Sequence, residues 1–244
     1  MVQRTGGAVV LKKPKIAVLL DENTREDASR YEANKGYFLA ITDAGGIPFG
    51  VPFLSEVIDS VVEDFDGLLT VGGRFAYPDD WYIGGEVAST PESDRFEIEK
   101  ALVARFLSLD KPVLGMCAGM QMLACLHGCK LTPDLTKTIL GAARHDLADE
   151  QHAVSIAEGS RLASCVGVQT MQVNTLHREA IVELCDDVLV SATADDGIVE
   201  AIELPAYAFA MGLQWHQERF AHLDHPGNGV FAGFIRACQS TPIE

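Results

Sequence analysis

The stretch Val113-Leu-Gly-Met-Cys-Ala-Gly-Met-Gln-Met-Leu123 decides how this chain is read. It opens as an apolar run, breaks at Gly115, shows one thiol at Cys117 and breaks again at Gly119 before apolar residues resume. Gly115-Met-Cys-Ala-Gly119 has the spacing of a nucleophile elbow, a tight strand-to-helix turn that holds one side chain above the strand end. A Cβ two residues to either side of that side chain would clash, and glycine at both places removes it. A helix starting here puts partial positive charge beside the sulfur, which favours thiolate over thiol. The Ala118 N–H is placed to donate to an oxyanion. Cysteines are commonly buried for packing alone, but packing does not call for two flanking glycines at a strand-to-helix switch.

Outward from the elbow, apolar runs alternate with helical patterns. Residues 15–20 read as a buried strand, 31–46 as a helix stopped by Gly45 and Gly46, and 47–53 as a short strand. Residues 55–65 read as a helix with Ser55 as N-cap, 66–73 as a strand ending at Gly72–Gly73, and 92–110 as an amphipathic helix. The elbow follows, with its helix ending at His127–Gly128. This βαβα order predicts a mostly parallel sheet with helices on both faces. Residues 151–158, 168–174, 187–194, 198–205 and 208–215 read as five shorter strands, some antiparallel, before a last helix over 229–239. Ligands of such sheets gather at the carboxyl ends of the parallel strands, a criterion met by Gly72–Gly73 and by Cys117.

The composition fits one domain over residues 15–240 after an N-terminal arm, 1–14. The chain has 244 residues, 48% hydrophobic and 22% charged, enough for a sizeable core. A net charge of −16 argues against nucleic acid and anionic membranes as partners. No apolar run reaches transmembrane length and the start does not read as a signal peptide, so a cytoplasmic protein with reduced thiols is expected. The six cysteines form no CxxC pair. Cys125 and Cys129 are read as packing residues, and no metal or cofactor is expected.

A nucleophilic cysteine needs a base. Among seven histidines, His127 reads as a helix-end cap, and His145, His152, His222 and His225 read as solvated. His216 ends an apolar strand, and Glu218 two residues on shares its face if the segment stays extended. Cys117, His216 and Glu218 then supply nucleophile, base and orienting group.

At these residues the chain resembles the class I, or triad, glutamine amidotransferases. Their elbow stands here as Gly115-Met-Cys-Ala-Gly-Met-Gln121 and their later His-x-Glu as His216-Gln217-Glu218. The resemblance is closest to the branch of γ-glutamyl hydrolases that includes γ-glutamyl-γ-aminobutyrate hydrolases, peptidase family C26. The long loop after Gly73 and the segment Val173-Asn-Thr-Leu-His-Arg-Glu-Ala-Ile181 suggest that branch. Departures are Ala118 where arginine is common, Gln217 where proline is usual, and Asp94-Arg95-Phe96 in place of an Arg-Asp pair.

The resemblance implies a flavodoxin-like α/β fold with a small antiparallel extension. It also implies cysteine-dependent hydrolysis of a small γ-glutamyl compound, through a thioester that releases glutamate. Cys117 attacks, N–H groups of Gly73 and Ala118 hold the oxyanion beside Gly72, His216 moves the proton, and Gln121 and His177 lie near the substrate. The alternative is a glutaminase subunit that passes ammonia to a partner synthetase. A DJ-1-type redox protein and a non-catalytic binding protein are the weaker rivals. A homodimer is left open.

Overall fold

The computed structural model describes residues 12–23 and 29–240. Residues 1–11 of the expected N-terminal arm lie outside them. A nine-stranded sheet organises the rest. Its strands are β1 (Lys15–Leu19), β2 (Ile47–Val51), β3 (Gly67–Thr70), β4 (Val113–Met116), β5 (Gln151–Ile156), β6 (Thr170–Asn174), β7 (Leu189–Ala194), β8 (Val199–Glu203) and β9 (Ala210–Leu213). Across the sheet the order is β2-β1-β3-β4-β9-β8-β7-β5-β6.

The first five in that order are parallel and the last four are joined antiparallel. Burial follows pairing. Strands β3, β4 and β9 are buried at every position, as strands covered on both faces must be. Along β5 buried and exposed residues mix, as on a half-covered antiparallel strand. Of the five later strands expected, four extend the sheet antiparallel, and β9 returns to the centre, parallel to β4.

Six helices cover the two faces: α1 (Lys35–Asp43), α2 (Ile58–Asp64), α3 (Arg95–Ser108), α4 (Ala118–Leu126), α5 (Arg161–Val166) and α6 (Gly229–Ser240). Leu68 packs with Val62, Phe106 and Leu123 of α2, α3 and α4. Its neighbour Leu69 points the other way, among Ile41, Leu162, Phe231 and Phe234 of α1, α5 and α6. The period of two along the strand thus feeds both cores.

Three local expectations change. Tyr31–Glu32 pairs with Asp21–Glu22 as a short antiparallel ladder, and the helix begins only at Lys35, where the Asn34 side chain accepts from the Gly36 N–H at 2.8 Å. Ser55 does not cap α2; it opens a 3-10 turn, and its hydroxyl bonds to Glu56 instead. A second small sheet, Lys130–Thr132 with Ala180–Glu183, carries no signal in the sequence because each strand has only three or four residues.

Candidate active site

Strands β3, β4 and β9 run side by side in one direction. Their carboxyl ends carry Gly72–Gly73, Cys117 and His216 respectively. Cys117 has φ +51° and ψ −103°, a conformation L-residues seldom hold, and such strain gathers at functional sites. The flanking glycines are required by close approach. A Cβ on Gly115 would stand 2.5 Å from the Gly119 carbonyl, and one on Gly119 would stand 2.0 Å from Thr70 Oγ1. The Cys117 N–H donates to Leu213 O at 2.7 Å. The elbow is therefore tied to the strand that delivers His216.

His216 is held by its backbone. Its N–H donates to Asn174 Oδ1 and its carbonyl accepts from Asn174 Nδ2, both at 2.9 Å. The ring Nδ1 lies 2.8 Å from Glu218 Oε1. The two side chains do not meet as neighbours on an extended face, however. The chain turns into a 3-10 helix at Gln217–Phe220, and that turn carries the buried Glu218 under the ring. Burial works against a charged imidazole. The Glu218 carboxylate and a hydrogen bond with Cys117 outweigh it and push His216 up to about 10, so the ring is an imidazolium at neutral pH.

The turn after β3 is shaped by side chains from elsewhere. A Cβ on Gly72 would lie 2.3 Å from His216 Cε1, and one on Gly73 would lie 2.3 Å from Arg95 Nη1. Arg95 is fully buried at the start of α3. It pairs with Glu99 at 2.7 Å and Asp21 at 2.9 Å, and donates to the carbonyls of Val71 and Gly72. The Gly72 N–H donates to the Tyr37 hydroxyl at 3.1 Å. Burial, then the nearby Glu218 carboxylate, holds the Tyr37 hydroxyl well above the usual range. The orientation of the 71–73 peptides is thus set by Arg95 and Tyr37.

A cleft of about 790 Å³ opens over Cys117 and His216. Its walls include Gln121, Leu176, His177 and Glu179, and its charged lining carries Asp21, Glu22 and Glu32 as well as Arg74, Arg178 and Arg219. Gln121 is buried in the wall with its amide N–H groups on Glu179 O and Gln214 Oε1, at 3.2 and 3.1 Å. It braces the 174–179 segment. His177 also lines the cleft, but both ring nitrogens are engaged within the protein, Nδ1 with Glu179 O and Nε2 with Glu200 and His145. Burial pushes the Glu179 carboxyl up to about 7.

Other histidines depart from expectation. His145 is buried and His152 half-buried, neither of them solvated. His225 is half-buried, stacked on Phe220, and accepts the Gly227 N–H at 3.1 Å. His222 is exposed, and His127 ends α4 with Nδ1 2.9 Å from Leu123 O, as expected.

Residues 14–218 match the model of the family Peptidase C26. The chain belongs to that family. A γ-glutamyl-γ-aminobutyrate hydrolase of Escherichia coli O157:H7 is 29% identical, over 94% of this chain and 95% of the relative. A glutamine amidotransferase-like protein of Rickettsia prowazekii is 30% identical, over 84% and 89%. Among solved structures, a GMP synthase-like protein of Thermoplasma acidophilum superposes with a TM-score of 0.66 at 19% identity, over 94% and 96%. The CTPS glutaminase domain of Trypanosoma brucei does so at 0.60 and 14% identity, over 95% and 96%. These last two establish the α/β amidotransferase fold. As a C26 protein this one is an enzyme of the hydrolase and glutamine amidotransferase type. No helix among its described residues is long and apolar enough to cross a membrane.

Motif reading missed Asn174, Tyr37 and Arg95. Arg95 and Glu99 did carry a signal, an oppositely charged i,i+4 pair on a helix that packs on the sheet. Asn174 stood in the segment quoted for the resemblance but without a role, and Tyr37 carried no signal, because their partners His216 and Gly72 are 42 and 35 residues away in the chain.

Proposed function

We propose that the protein hydrolyses the γ-glutamyl amide bond of a small γ-glutamyl compound, with Cys117, His216 and Glu218 as its catalytic residues. The observation that carries this reading is the strained Cys117 elbow joined to a His216–Glu218 pair at 2.8 Å, on the floor of one cleft. An imidazolium beside the sulfur favours the thiolate. The thiolate attacks the amide carbon, and the N–H groups of Gly73 and Ala118 receive the negative charge that moves onto oxygen. His216 gives its proton to the leaving amine. It then takes a proton from water, whose hydroxide displaces the sulfur and frees glutamate. Both charge signs along the cleft suit a substrate whose glutamyl end carries an ammonium and a carboxylate. The E. coli relative's name places γ-glutamyl-γ-aminobutyrate among the candidate substrates.

If Glu218 serves only to orient and stabilise the charged ring, Glu218→Gln lowers kcat and leaves KM nearly unchanged, with a smaller loss than Cys117→Ala. Steady-state kinetics decide this, and an unchanged kcat would remove Glu218 from the mechanism.

The isolated protein should also prefer a γ-glutamyl amide with a bulky leaving amine over glutamine. Contacts to the remote amine can be used to position the scissile bond, and glutamine offers none. A panel of γ-glutamyl amides, scored for glutamate release as kcat/KM, tests the substrate class. Preference for glutamine, or turnover only after a synthetase is added, would favour the ammonia-donor alternative.

A further inference from the structure

A second group of ionisable side chains converges at a buried point that shares His177 with the cleft wall. His145 Nδ1 lies 3.1 Å from His177 Nε2, and both face one carboxylate oxygen, Glu200 Oε1, at 2.9 and 3.2 Å. His145 and His177 are buried, and Glu200 is completely so. The His177 N–H also donates to the His145 carbonyl at 2.7 Å, which ties the two segments together.

Counting protons shows what this cluster lacks. His177 Nδ1 stands 3.0 Å from Glu179 O, and a carbonyl only accepts, so the hydrogen of that ring is on Nδ1. His145 Nε2 stands 3.0 Å from Asp196 Oδ2. Asp196 already accepts from the backbone N–H groups of Ala143 and Ile198 at 3.0 and 3.3 Å, so it is an acceptor and Nε2 carries the hydrogen. Both outward nitrogens are donors. In neutral rings the inward ones, His145 Nδ1 and His177 Nε2, then bear only lone pairs. They face each other and a carboxylate oxygen with no donor among them. Two more buried atoms beside them have no hydrogen-bond partner, Glu200 Oε2 and His152 Nε2, the latter 3.5 Å from Glu200 Oε1. Such an arrangement calls for positive charge at its centre, from a proton on one ring or from a metal ion.

We propose that His145 Nδ1, His177 Nε2 and the Glu200 carboxylate, whose ligand atoms all lie within 4.8 Å of one another, bind a Zn²⁺ ion. The spacing fits. Ligands about 2.0–2.1 Å from a tetrahedral zinc are about 3.3 Å from one another, close to the edges of the observed triangle. The surroundings fit as well. Each of the two inner histidines gives its other N–H to a carboxylate or a backbone carbonyl, the support that metal-bound imidazoles usually have. Imidazole and carboxylate suit zinc, and three protein ligands leave the fourth tetrahedral position to water. A search for ligands a few residues apart passes over it, because the ligands spread over 55 residues, from His145 to Glu200.

The ion's role is to fix the cleft wall. His177 sits in the segment that begins at Asn174, the clamp on His216, and ends at Glu179. The metal anchors that segment to β8, which carries Glu200.

The test uses the full-length protein, stripped with a chelator and titrated with Co²⁺ or Zn²⁺ alone. One equivalent of Co²⁺ is expected to give the intense visible absorption of a four-coordinate site without a thiolate charge-transfer band. Zn²⁺ should displace it, and metal should raise the Tm. Cys117→Ala should bind equally well, which separates this site from the Cys117–His216 pair. His145→Asn and Glu200→Gln should abolish the visible bands. Should either fail to fold, Asp196→Asn, which removes only a supporting carboxylate, should weaken Zn²⁺ binding about 10–100-fold. No stoichiometric binding by the stripped wild type would overturn the proposal and leave the cluster held by protons alone. So would a weak six-coordinate Co²⁺ spectrum, visible bands that survive His145→Asn, or binding that disappears with Cys117→Ala.

Discussion

Alanine at Cys117 is expected to lower kcat by about 10⁶-fold, the loss seen when a nucleophile is deleted from an acyl-transfer site. The rest of the cleft stays in place, so substrate should still bind. The same position yields a second, opposite readout. Cys117 is held at φ +51°, and strain of this kind costs about 1–3 kcal/mol. Glycine adopts that conformation freely but loses about 0.5–1 kcal/mol to its greater unfolded-state freedom. Cys117→Gly is therefore expected to be inactive and about 1 kcal/mol more stable than Cys117→Ala, which loses the same buried sulfur, read as a higher denaturation midpoint. Alkylation gives a third check. Cys125 and Cys238 are pushed far up by burial, and Cys129 to about 11 by the same cause. Iodoacetamide at neutral pH should mark Cys117 before any of them. Peptide mapping that finds Cys125 or Cys238 modified first would sink the assignment.

Removing Arg95 should have the largest effect on stability. Its guanidinium is fully buried against the equally buried Glu99, and it also holds two carbonyls of the turn after β3. Arg95→Met leaves Glu99 as an unpaired buried charge, and breaking such a pair costs about 3–5 kcal/mol. Arg95→Met with Glu99→Leu removes both charges and should recover most of that loss, since well-packed apolar replacements of buried pairs are often neutral. The double variant still lacks the donors to Val71 and Gly72. It is expected to fold yet turn over about 10²-fold more slowly, the effect of a small misplacement of reacting groups. Full activity in a stable double variant would show that the turn is oriented without Arg95.

These two cases mark where the sequence is readable. Cys117 was legible because its glycines, strand and helix are all within a few residues of it. His216 and Glu218 were legible as a pair, but the turn that joins them was not, since the i,i+2 spacing points to an extended segment and nothing local announces the 3-10 turn that starts at Gln217. The parallel core was legible because strands covered on both faces read as unbroken apolar runs. Arg95 stood out only as a departure from a pattern, and its meaning depends on a carbonyl 23 residues away. His145 and His152 misled because their chain neighbours, Arg144, Asp146, Asp149 and Glu150, are polar. What buries the two rings is Glu200 and the sheet, and no local pattern encodes that.

The position of β9 has a consequence for how the molecule comes into being. Ala210–Leu213 is the last strand of the sheet in chain order, yet it lies between β4 and β8. Until it inserts, both neighbours present open edges, and open edges invite pairing with other chains. Closing the ladder across about a hundred residues is a slow, non-local step. The same step brings His216 to Cys117. During refolding, activity should therefore return only with the slowest phase, and a ribosome-bound chain would remain catalytically silent and prone to association until this strand has emerged.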